Sequence, residues 1–101
     1  MNELEIPPAA VQDENSVELI RAFVANGAQW TSINPHLFRN HEFQEEKAWG
    51  IFLADTIKHL ASAISESKNV DGYDVIVDIV EALNNELDLS TSDVRGGYLK
   101  E

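Results

Sequence analysis

HEFQEEKAWGIFLADTIKHLASAISES, residues 41–67, is the stretch on which the fold turns. Ala48, Phe52, Leu53 or Thr56, Ile57, Leu60 and Ile64 recur at steps of three and four. That is the period of one helix face. No proline interrupts the run, so the spacing predicts a long amphipathic helix. Asn40 stands at the N-cap position, and Glu42, Glu45 and Glu46 fill the opening turns, where the helix dipole favours negative charge. Gly50 costs about 1 kcal/mol relative to Ala in a helix interior, which implies the close approach of another backbone beside Trp49.

Upstream, residues 17–25 and 28–34 flank Asn26-Gly27. Asn-Gly between two β-rich runs is a strong hairpin signal, because a type I′ turn needs positive φ at both central positions. A two-residue loop sets the register. Ala25 faces Ala28, Val24 faces Gln29, Phe23 faces Trp30, Ala22 faces Thr31, Arg21 faces Ser32 and Ile20 faces Ile33. One face then shows Leu19, Arg21, Phe23 and Trp30; the other shows Ile20, Ala22, Val24, Thr31 and Ile33. Neither is plainly polar. A lone two-stranded sheet is marginal in water, so the hairpin is expected to pair edge to edge with a second copy. Asn34-Pro35 ends the second strand.

Downstream, Asn69 to Gly72 breaks the helical pattern, and Asp71 is a good N-cap for a second helix over 72–88. Its stripe is Tyr73, Ile76, Val80, Leu83 and Leu87, widened by Val77 and Ile79. The short connection favours an antiparallel helical hairpin. The expected fold is therefore α+β, in the order ββαα: a two-stranded antiparallel hairpin packed on an antiparallel helix pair, with the sheet extended by dimerisation. Residues 16–88 make the domain. Residues 1–15, with Pro7-Pro8, are expected as an extended arm anchored by Ile6 and Val11. Residues 89–101, with Gly96-Gly97 and little pattern, are expected as a mobile tail.

The 101 residues suit one domain. Cysteine is absent, which excludes disulfides and thiolate metal sites. No signal-peptide pattern opens the chain, and no run reaches the roughly 18 apolar residues of a membrane span. A cytoplasmic protein is expected. The formal net charge is −11, with only seven Lys and Arg. Phosphate binding needs clustered cations, so neither nucleic acid nor an anionic membrane is an expected partner. A basic protein is the partner such a charge suits.

Several stretches together resemble a small bacterial family of uncharacterised proteins, a domain of unknown function. They are Ile6-Pro7-Pro8-Ala9-Ala10, Glu18 to Val24 before the Gly27 turn, Ser32-Ile33-Asn34-Pro35, and Ala48-Trp49-Gly50-Ile51-Phe52-Leu53-Ala54-Asp55 with His59-Leu60-Ala61. The likeness covers residues 5–65, and its most specific part is the Trp-Gly-x-x-Leu-Ala-Asp-x-x-x-His run. The sequence departs by inserting His41 to Lys47, and its Asp- and Asn-rich second helix finds no counterpart. The resemblance implies a small cytoplasmic bacterial protein with no assigned activity.

Candidate chemistry is sparse. Asp55 and His59 stand at i and i+4, side by side on a helix, with Ser62 on the same edge. They make either a carboxylate-oriented imidazole, useful to a metal or as a base, or a local pair worth a few tenths of a kcal/mol. One helix face cannot surround a substrate, so no triad follows. His36 and His41, near Glu42, Glu45 and Glu46, lack a recognised metal spacing. Asp74, Asp78 and Glu81 form an acidic ladder whose ordinary place is a solvated helix face. Arg21 shares a face with Phe23 and Trp30. It stacks on Trp30, pairs with a carboxylate such as Asp55, or holds a ligand anion. Trp30, Trp49 and Phe23 are best read as core or subunit-interface anchors. Gly-rich phosphate loops and nucleophile elbows are missing.

The function expected by exclusion is a non-enzymatic interaction or accessory protein, without cofactor, homodimeric through the hairpin. The alternative is a small-ligand or metal-binding protein using Arg21, Trp30, Asp55 and His59.

Overall fold

Asn26 and Gly27 both adopt positive φ, 53° and 71°, and the chain doubles back on itself there. In the computed structural model, which describes residues 2–38 and 44–100, strand β1 (Ile20–Ala25) pairs antiparallel with β2 (Ala28–Ile33). All six pairs of the expected register are present, from Ile20 opposite Ile33 to Ala25 opposite Ala28. The Asn34 amide donates to the Leu19 carbonyl at 2.9 Å and extends the ladder by one step.

The long helix runs Glu45–Lys68 and the second runs Gly72–Asp88. The expected Asn40 cap, with His41 and Glu42, lies outside the described residues. Glu45 and Glu46 occupy the first turn and Lys68 the last, each sign at the helix end that stabilises it. Asn69 ends the helix in the left-handed conformation, φ 55°, which Asn tolerates better than most residues. Two residues on, the Asp71 carboxylate accepts from the amides of Tyr73 at 2.8 Å and Asp74 at 3.3 Å. The second helix starts at the predicted position for the predicted reason.

Two further elements lie where the sequence suggests arm and tail. Pro8–Gln12 forms a one-turn helix, α1, so the arm is not extended throughout. Proline at the first helical position is pre-organised for a helix, and only the residues before it are forced out of one. Ile6 and Val11 are exposed rather than anchoring; the arm reaches the sheet through Glu3, 3.7 Å from Arg21. With the long helices labelled α2 and α3 in turn, the C-terminal stretch Val94–Tyr98 forms β3. It lies parallel to β2 and completes a sheet of order β1-β2-β3.

Gly96 explains why that strand escapes notice. It sits at φ +122°, opposite Thr31, and a Cβ there would overlap the Thr31 carbonyl. The missing Cβ of Gly96, which also weakens the sequence pattern, is what lets β3 come close. Gly50, by contrast, meets no neighbour where a Cβ would stand, so the expected backbone approach is absent there.

The hairpin and the helix pair are both present, yet the pair does not lie on the sheet. No strand residue has its Cα within 8 Å of one in α2 or α3. The loop after β2 meets α2 through Trp49, whose Nε1 donates to the Pro35 carbonyl at 3.2 Å and whose ring takes Phe38 and Phe52 edge-on. Among the described residues the buried apolar side chains are Ala48, Ala61 and Val75. The chain exposes 8750 Å², whereas a compact 11.3 kDa fold exposes about 5,700 Å². Its radius of gyration is 15.5 Å, against about 13 Å for a compact chain of this length.

Candidate functional site

The four residues singled out by sequence do not converge. Arg21 leaves β1 and binds Glu18: its Nε donates to Glu18 Oε2 at 3.0 Å, and a terminal nitrogen lies equally close. That hydrogen bond, then the Glu18 charge, with Glu3 adding to it, raises the guanidinium pKa above its ordinary value. Asp55 is therefore not its partner; it pairs with Lys58 at 3.3 Å on its own helix. His59 is exposed one turn further on. Ser62 turns its hydroxyl back to the Lys58 carbonyl at 3.1 Å, a local helix bond rather than part of a site.

Trp30 does meet an arginine, but it is Arg95 of the third strand and not Arg21. Arg95 on β3 places its guanidinium carbon 5.8 Å from the Trp30 ring centroid, within cation–π range. The indole Nε1 donates to the Ala25 carbonyl at 2.9 Å. Since the sheet and α2 stay apart, Arg21 and Trp30 form no common pocket with Asp55 and His59.

Of the loop group, His36 Nδ1 stands 3.9 Å from Glu45 Oε1, and the His36 amide donates to Asn34 Oδ1 at 3.4 Å. Among the described residues no three His, Cys, Asp or Glu side chains are grouped to hold a metal ion. Nor is any described helix long and apolar enough to cross a membrane.

One carboxylate escaped the sequence reading. Glu86, in the last turn of α3, accepts from the Thr91 amide and hydroxyl at 2.8 Å each, and from the Ser92 amide and hydroxyl at 3.2 and 3.3 Å. The Thr91 amide bond foremost, then its hydroxyl, holds the Glu86 pKa below the ordinary carboxylate value. This bracket fixes the link from α3 to β3. Its only trace in sequence is the Ser90-Thr91-Ser92 run after a helix that ends in acid.

Among the described residues, apolar side chains are left open on one face of the sheet and along α3. In the observed register one sheet face carries Ile20, Ala22, Val24, Gln29, Thr31, Ile33, Val94, Gly96 and Tyr98, none of them charged. Val24 is 87% exposed, Val94 65% and Tyr98 67%, while Thr31 at the middle of the face is buried and Ile20 and Ile33 are half-buried. The other such surface is on α3. Val75 is buried and Ile76 and Ile79 half-buried, while Tyr73 is 73% and Leu87 76% exposed, with Val77, Val80 and Leu83 also open. The stripe that reads as core thus lies largely uncovered. It lines a shallow groove of Tyr73, Ile76, Val77 and Val80 that passes into Glu81, Asn84 and Asn85.

A family model described as a domain of unknown function, DUF5076, matches residues 3–91. No curated protein matches the chain. A solved structure from the photosynthetic bacterium Rhodopseudomonas palustrus CGA009, of a protein named as a candidate pyruvate dehydrogenase, matches at 24% identity with a TM-score of 0.68. The match covers 92% of this chain and 90% of that one; at such identity the likeness carries the fold alone.

Proposed function

The chain belongs to the DUF5076 family, a domain of unknown function, and we propose that it acts without catalysis, as an acidic interaction protein of the bacterial cytoplasm. It works when another chain covers its apolar surfaces, and the first such chain is a second copy. One observation carries this reading: the protomer exposes about 3,000 Å² beyond what a compact fold of its mass would show. Part of that surface is apolar and gathered on the sheet face around Val24, Val94 and Tyr98 and on the α3 stripe, and gathered apolar surface marks an interaction site.

A second occupant, a basic protein, is favoured by the net charge of −11. Salt separates the two. Self-association brings like charges together over apolar faces, so screening strengthens it; docking of a basic partner on acidic surface weakens as salt rises.

Sedimentation velocity on wild type and Val24→Asp tests the proposal. Val24 is exposed in the protomer, so the change leaves the single chain folded. Burying a valine is worth about 1.5–3 kcal/mol, and each dimer carries the change twice. Loss of at least about 3 kcal/mol weakens the dimer by more than roughly a hundredfold. A wild type that sediments as a monomer at every concentration would overturn the reading.

A further inference from the structure

The two uncovered surfaces match each other in length and character. The sheet face runs along six-residue strands β1 and β2, roughly 20 Å at about 3.3 Å per residue. The α3 stripe from Tyr73 to Leu87 extends roughly 21 Å at 1.5 Å per residue. One surface is an uncharged sheet face carrying Val, Ile and Tyr; the other is a helix row of Tyr73, Val77, Val80 and Leu83. Helices covering one face of a sheet are a stable two-layer arrangement.

Within one chain the backbones that carry these surfaces stay apart, the strands and long helices keeping their Cα atoms more than 8 Å from one another. The link that would have to swing is short, residues 89–93, and the Glu86 carboxylate grips it at Thr91 and Ser92. A partner copy needs no such swing. We infer that the helix pair of one copy covers the uncharged sheet face of a second copy, and the reverse, in an exchanged homodimer. The inference rests on the proposed self-association and specifies its geometry.

The area favours exchange over simpler pairings. The roughly 3,000 Å² of excess surface on each copy, shared among the arm, the C-terminal end and the two apolar surfaces, exceeds the roughly 800 Å² per partner that a standard interface hides. Edge pairing through β1 hides main-chain groups and leaves both apolar surfaces in water. Stacking sheet on sheet leaves the α3 stripe open. Exchange covers both surfaces, twice.

The absence of cysteine makes site-directed crosslinking clean. Val24→Cys with an N-terminal tag and untagged Val80→Cys are co-expressed, treated with a short bismaleimide and resolved on a denaturing gel. Light scattering gives the mass of the untreated sample. Exchange predicts a dimer whose dominant crosslinked product joins one tagged and one untagged chain. A dimer yielding no such mixed product overturns exchange and leaves self-association standing. A monomer overturns both. A Val24→Cys, Val80→Cys double variant that links only within one chain would show a closed monomer and overturn the inference as well. Ala22→Cys with Val77→Cys repeats the experiment on the same two surfaces if either first variant fails to fold.

Discussion

Replacing Gly96 by Ala tests whether β3 belongs to the sheet. Gly96 holds φ +122°, and a Cβ there would run into the Thr31 carbonyl, a backbone group that no rotamer change can move aside. A residue held in such a region costs about 1–3 kcal/mol, before the overlap is counted. Against this stand the few ladder bonds of a five-residue parallel strand, each worth about 1 kcal/mol net. Ordering each of its residues costs about 1–2 kcal/mol of backbone entropy. The strand's docking is therefore shallow, and the strain detaches it rather than unfolding the hairpin.

Amide hydrogen exchange reads the effect at Leu99, whose N–H donates to the Ile33 carbonyl at 2.8 Å. A cost of about 2 kcal/mol lowers its protection roughly thirtyfold. Amides bonded between β1 and β2 keep theirs. Gly97→Ala is the internal control, because its added methyl meets nothing within 4 Å and its φ is not in the strained range. If Gly96→Ala and Gly97→Ala exchange alike at Leu99, the account of β3 is wrong.

Asp71→Ala removes the carboxylate that caps α3 and is expected to cost about 1 kcal/mol, a fall of about 4–8 °C in Tm by calorimetry. For Glu86 the folded-state pKa is depressed, so its contribution is full above the unfolded carboxylate value and fades as pH falls through the folded one. Exchange protection at Thr91 and Ser92 should drop on acidification in wild type and show no such step in Glu86→Gln. Asp55→Ala and His59→Ala should each shift thermal stability by tenths of a kcal/mol, measured by melting curves with and without divalent metal. A metal-dependent rise in Tm that either change abolishes would restore the ligand site to those residues.

The elements legible in sequence are those whose signal is local. Asn26-Gly27 needs two positive φ values and so declares the hairpin and its register; Asp71 declares a helix start through a side chain two residues from the amide it caps. β3 is different in kind. Val94 to Tyr98 pair with a strand far back in the chain, and the property that admits them, the missing Cβ of Gly96, looks like an absence of pattern. Helix periodicity on α3 correctly marked Tyr73, Val80, Leu83 and Leu87 as apolar, but a stripe says only that something covers it, never what. The same limit applies to Trp30, whose partner Arg95 is set by strand pairing, whereas Glu18 stands only three residues before Arg21 and is within reach of the sequence. For the site, pairing Asp55 with His59 used spacing on one helix, and spacing cannot report that the sheet stands elsewhere.

The mass of the untagged wild-type chain in solution, followed by light scattering over a dilution series at low and high salt, tests the central claim most directly. Completion by a second copy predicts twice the 11.3 kDa chain mass, persisting to lower concentration as salt rises. A single-chain mass at all concentrations and both salts would contradict it.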